Sequence, residues 1–212
     1  MANHLVDGLL VPDLVSDHVA LELANTRAGW GEESPREYLV SYEALAVWSG
    51  DVGLLSAREV RGVRRLAAAS PRSAAHVLRS AVALRESWYA VATSHWNDRP
   101  LAREHLEVIG GAVARASGVS LLLPMQDSRV LPDGGDVERA GLWLPVNRAA
   151  LAVSEVLTTG DLAHVGQCAG HGCGWLFFDP SHRRHWCIMA ICGNRAKARA
   201  FAERRRLAAG LP

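Results

Sequence analysis

All four cysteines of this chain sit in two hexapeptides of the same design, CAGHGC (residues 168–173) and CIMAIC (residues 187–192), with 13 residues between them. A chain of 212 residues buries enough apolar surface to fold without cross-links, so four thiols confined to its last quarter need another reason. Zinc takes four thiolates tetrahedrally at about 2.3 Å, and two short loops joined by a hairpin bring four sulfurs to one point by local folding alone. Gly170, Gly172 and Gly174 let the first loop turn sharply and aim amides at sulfur. The spacing predicts one structural zinc on Cys168, Cys173, Cys187 and Cys192. The competing readings are disulfides or free buried thiols, and replacement of one cysteine by His171, His182 or His185. A catalytic zinc fits poorly, because four thiolates leave no position for an activated water.

The residues around the cysteines complete a pattern. Residues 175–178, the turn Asp179-Pro180-Ser181 and residues 183–186 read as strand, turn, strand, and residues 195–209 as an uninterrupted helix. Knuckle, hairpin, knuckle, helix is the layout of a treble-clef-like zinc finger. Upstream, apolar periodicity predicts helices over 12–25, 35–48, 57–69, 72–96, 101–116 and 147–157, with a short one over 162–165. Ser34 with Glu37, and Ser56 with Glu59, have capping-box spacing. Two short apolar runs, residues 119–124 and 141–146, flank Pro132-Asp133-Gly134-Gly135 and read as antiparallel strands. Trp48, Trp88, Trp96 and Trp143 are expected in the core or at its edge. The expected fold is therefore mainly α with a small antiparallel β-sheet (α+β), a helical domain over 1–160 followed by the finger over 161–212.

The net charge of +1 conceals an asymmetry: residues 1–167 carry 15 basic and 20 acidic side chains, residues 168–212 carry 8 and 2. On the final helix Arg195, Arg199 and Arg206 fall close to one face with Lys197 and Arg204 beside them, and Arg183 and Arg184 add to them from the hairpin. Ala198, Phe201, Ala202 and Ala208 would form the packed face opposite. Such a helix is able to lie on a nucleic-acid duplex with arginines on phosphates. Against that, zinc on four thiolates is a net anion, and part of the arginine set, Arg195 first, would serve to neutralise it. The preponderance of arginine (22 of 23 basic residues) goes with an alanine-rich composition and is not evidence of phosphate recognition.

The run CGWLFFD…RRHWCIMAICGNRAKAR, and above all Cys192-Gly193-Asn194-Arg195, resembles the CGNR zinc-finger family. LELANTR (residues 21–27) with SYEALAVWSGDVGLL (residues 41–55) is similar to the ABATE domain that usually precedes that finger. The resemblance implies that the four cysteines are the zinc ligands, and that the chain is a stress-induced bacterial transcription regulator. Ile188 and His185 depart from the usual pattern, which has Ser after the third cysteine and an Arg-rich stretch before it.

The expected function is thus a regulator whose finger meets DNA and whose helical domain senses a small-molecule effector or mediates assembly. Asn25, Arg27 and Trp30, at a polar helix exit, are candidates for an effector pocket, with helix capping as the plainer reading. The alternatives are a protein-interaction adaptor with purely structural zinc, and a small-molecule enzyme. The sequence has no Gly-rich phosphate loop, His-Glu-x-x-His or Gly-x-Ser-x-Gly, so no catalytic residues are assigned and no enzyme is expected. The N-terminus lacks the basic and apolar regions of a signal peptide, and no window approaches the roughly 20 apolar residues that span a bilayer. A cytoplasmic protein, without membrane contact and of unassigned oligomeric state, is the expectation.

Overall fold

The computed structural model describes residues 2–94, 100–124 and 130–208. Trp96, and with it the expected end of the helix over 72–96, lies outside the described residues. The chain opens with a hairpin, β1 (Asn3–Val6) and β2 (Leu9–Pro12), in the register Asn3 to Pro12. Asp7 and Gly8, at φ 50° and 77°, form the two-residue turn whose twist matches the right-handed twist of the paired strands. The expected helix over 12–25 therefore shortens to α1 (Val19–Asn25). Residues 15 and 16 are tied to it instead: the buried Glu22 carboxylate accepts from the amides of Val15 and Ser16 at 2.7 and 2.6 Å and from the Ser16 hydroxyl at 2.8 Å.

The capping box expected at Ser34 does not form. Glu37 lies in β4 (Arg36–Glu37), which pairs with β3 (Arg27–Ala28), and grips the buried Arg85 guanidinium with both oxygens at 2.6 and 2.7 Å. Helix α2 (Tyr42–Asp51) starts later, where the Ser41 hydroxyl accepts from Ala44 N at 3.1 Å. The second capping box is present: Ser56 and Glu59 cap each other at the start of α3 (Ala57–Ala69). Helices α4 (Pro71–Ser94) and α5 (Arg103–Val119) follow. The hairpin β5 (Leu122–Pro124) and β6 (Val130–Pro132) bears out the first expected strand and supplies it with a different partner. Residues 141–146 are not a strand. After the short α6 (Val137–Ala140) and one 3-10 turn they enter α7 (Leu144–Thr159), with Pro145 in its first turn, where a missing amide costs nothing.

Helix α1 is buried almost all round; α7 and α4 pack on it, and α2 packs against both of those. Trp88, fully buried, donates its indole N–H to Ala20 O at 2.7 Å, and Trp48 lies in the same core. Trp143 is at the edge, with the Arg115 guanidinium 3.9 Å over its ring. Among the described residues the architecture is mainly α with four small two-stranded antiparallel sheets. None of the described helices is long and apolar enough to cross a membrane.

Arg85 is 1% exposed and its charge is matched by Glu37 and Glu86. Glu37→Gln keeps the shape and removes one of those charges, so urea denaturation should show a loss of about 2 kcal/mol, the worth of hydrogen bonds to a charged group.

Candidate metal centre

The last hairpin builds the first half of the site. After a 3-10 turn at Asp161–His164, which replaces the expected short helix, β7 (Val165–Gln167) pairs antiparallel with β8 (Leu176–Phe178). Cys168 and Cys173 occupy the loop between these strands. Cys168 N donates to Trp175 O at 2.8 Å, Cys173 N to Gly170 O at 2.9 Å, and Gly170 N to Cys168 Sγ at 3.4 Å. Gly172 and Gly174 take φ of 70° and 68°, and a Cβ on Gly174 would stand 2.6 Å from that of Trp30.

Residues 183–186, expected as the partner of β8, are not a strand. The partner is β7, and Arg184 holds the segment in another way. Its guanidinium donates to Val15 O at 2.6 Å, to Trp186 O at 3.0 Å and to Cys187 O, and lies 4.5 Å over the Phe177 ring. The second half of the site follows as one π-helical turn, Met189–Gly193. There Ile188 O accepts from Cys192 N at 2.9 Å and from Ile191 N and Gly193 N at 3.3 Å, so position 188 contributes a carbonyl and needs no side-chain hydroxyl. A Cβ on Gly193 would lie 2.3 Å from Met189 Sδ, so any larger residue there displaces the Met189 side chain. Asn194 starts α8 (Asn194–Ala208) and ties back to Ala190 O at 3.0 Å.

These two loops bring the four thiols together. The cysteines are 4–5% exposed and their sulfurs all lie within 4.8 Å of one another. Cys187 Sγ is 3.7 Å from Cys173 Sγ and 3.6 Å from Cys192 Sγ, close to the edge of about 3.8 Å that a tetrahedron with bonds of about 2.3 Å requires. The donor set and spacing fit one structural zinc. His171, His182 and His185 are outside the cluster, and no disulfide forms. Among the bare thiols, hydrogen bonds from Cys173 and Cys187 favour the Cys168 thiolate, while contact with Cys168 pushes Cys173 and Cys187 up. Metal therefore binds in exchange for protons, and affinity falls as pH falls.

Asn25, Arg27 and Trp30 lie in the seam between finger and helical segment. Asn25, fully buried, donates to Leu176 O at 2.9 Å and accepts from Leu176 N at 2.8 Å. Arg27 O accepts from the Trp175 indole at 3.0 Å, and its guanidinium pairs with Glu86 at 3.0 Å. Trp30 stacks on Tyr89 with centroids 3.5 Å apart, and its amide donates to Cys173 O at 3.3 Å. Tyr89, on α4 and not singled out by the sequence, donates to Gly174 O at 2.9 Å and accepts from Gln167 at 2.7 Å.

Of the basic residues, Arg184 is committed to the seam and leaves the candidate nucleic-acid set. Arg183, Arg195, Lys197, Arg199, Arg204 and Arg206 are exposed. So are Ala198, Phe201, Ala202 and Ala208, expected as a packed face: the π-turn launches α8 away from the body, and every residue from 197 to 206 is exposed.

A family model described as "CGNR zinc finger" matches residues 164–205, and a second, ABATE, described as "Putative stress-induced transcription regulator", matches residues 17–160. No curated protein matches the chain.

Purified protein should carry one zinc per chain by metal analysis. Cys173→Ser should lose most of it while far-UV circular dichroism keeps most of its helical signal, because the helices share a core that the thiols do not enter.

Proposed function

Because the chain belongs to the ABATE family and bears a CGNR zinc finger, we propose that it is a transcription regulator whose finger binds DNA through α8. The observation that carries this reading is the stance of α8. Arg195, Lys197, Arg199, Arg204 and Arg205 are exposed on a helix that leaves the metal site free of the body, at the basic end of an otherwise acidic chain. A helix so presented meets phosphates and the major groove without steric conflict, and the zinc fixes its origin. The helical segment, joined to the finger by the buried Asn25–Leu176 pair, is the part placed to transmit an effector or an assembly contact to α8. On this reading the chain works in the cytoplasm and performs no catalytic step, since four thiolates satisfy the metal.

A protein-interaction role is the second reading, and Phe201 favours it. It is 56% exposed on the same free helix, with Met189 48% exposed near its base, and large apolar side chains so presented suit a protein partner.

DNA binding separates the two. Affinity should fall with salt with a slope of about −0.9 per phosphate neutralised, and Arg199, Arg204 and Arg206 replaced together by Gln should flatten that slope with zinc content unchanged. Arg184→Gln should instead lower the melting temperature. Fluorescence anisotropy with random duplexes checks the first, and absence of binding at low salt sends the assignment to a protein partner.

A further inference from the structure

A cleft of about 330 Å³ opens between the first cysteine loop, the start of α8 and Glu32, and two of the four sulfurs' residues, Cys173 and Cys192, line it. Cys168 and Cys187 do not. Gly170 forms part of its wall and is the reason it reaches sulfur: a Cβ there would stand 3.1 Å from both Cβ and Sγ of Cys192. The two cleft-lining cysteines differ in access. The missing side chain of Gly170 uncovers Cys192 Sγ, whereas the Cys173 sulfur is not among the atoms nearest that position. Oxidation of a thiol follows its access, so Cys192 is the more reactive sulfur facing the opening.

The charge around the cleft selects what enters. Arg195 and Arg199 line it together with Glu32 and Glu203, and none of the four is in an ion pair among the described residues. Two cations and two anions cancel above a zinc–thiolate centre that is itself a net anion, so an anionic oxidant is repelled and a small uncharged one is favoured. We propose that Cys192 is an oxidation site for a hydroperoxide, and that its oxidation to a disulfide with Cys187 discharges the zinc.

The chemistry balances. The Cys192 sulfur attacks the terminal peroxide oxygen, an S–O bond forms as the O–O bond breaks, and the departing oxygen takes a proton and leaves as an alcohol, or as water from hydrogen peroxide. Cys187, 3.6 Å away, then attacks the Cys192 sulfur, and hydroxide takes a second proton and leaves as water. Two thiolates, one hydroperoxide and two protons from solvent give one disulfide, one alcohol and one water. Arg195 and Arg199 are placed to donate to the departing oxygens. Cys187 is the resolving thiol because it belongs to the same loop as Cys192 and its sulfur is 3.6 Å away, while Cys173 is held in the other loop, whose backbone is bonded to Trp30. Two remaining thiolates do not retain zinc against a chelator. The inference rests on the metal centre and holds whether or not α8 meets DNA.

The test treats zinc-loaded full-length protein with hydrogen peroxide in the presence of a chromogenic chelator and maps cysteines by mass spectrometry over time. Zinc release should accompany loss of two thiols, with Cys192 modified first and a Cys187–Cys192 disulfide as product. Gly170→Ala, which covers the sulfur, and Ala200→Leu, which narrows the opposite wall without touching a cysteine, should each slow release several-fold. If Gly170→Ala fails to load zinc, Ala200→Leu carries the comparison. Modification beginning at another cysteine, a disulfide of another pair, or release from Ala200→Leu at the rate of the parent overturns the proposal. So does retention of zinc at peroxide doses that consume the thiols of the denatured chain.

Discussion

The side-chain amide of Asn25 exchanges two hydrogen bonds with the backbone of Leu176, and much of the molecule depends on that exchange. It occurs with both residues fully buried, where an unmatched amide or peptide group is costly. Asn25 thus acts as the neighbour that the free edge of β8 would otherwise lack. Around it the other seam bonds fall into place: the Trp175 indole to Arg27 O, the Tyr89 hydroxyl to Gly174 O, Phe178 N to Ser16 O. The metal loops are consequently fastened unequally. The loop holding Cys168 and Cys173 is bonded to the helical segment through β8 and the Trp30–Gly31 backbone, whereas the turn holding Cys192 is bonded mainly to itself.

Sequence reasoning succeeded where the determining contacts are close along the chain. The Ser56–Glu59 capping box spans three residues and forms as expected, and so does the four-sulfur cluster, whose loops are each closed by contacts within a few residues. It failed where a side chain was claimed from far away. Glu37 has the spacing of a cap, but Arg85, 48 residues on, has the stronger claim on it. Asn25 reads as a helix exit because nothing near it reveals a partner 151 residues downstream. Two failures had local signals that the apolar periodicity concealed: Asp7-Gly8, a turn favoured in two-residue hairpin loops, and Pro145, at home in the first turn of a helix and foreign to an inner strand.

The fate of α8 shows a different limit. Its helical nature was legible from composition, but the stripe of Ala198, Phe201 and Ala202 looked like a packing face because amphipathic patterning presumes a body to pack against. The π-turn at Met189–Gly193 sets the direction of departure, and that direction, which no residue pattern within α8 encodes, leaves both faces in solvent.

The place of the seam in the chain also sets an order of events during synthesis. Val165 and Leu176 belong to the main hydrophobic core, together with side chains of α1, α2, α4 and α7. A ribosome therefore has to release about five-sixths of the polypeptide before that core has all its members, and the helices emerge first with an open slot where β7 and β8 belong. The hairpin that fills the slot carries the first two cysteines, so closing the core and presenting half of the metal site are one event. Metal capture is then the last step of maturation, and a chain that stalls before it still holds its helices, with α8 alone left without a fixed origin.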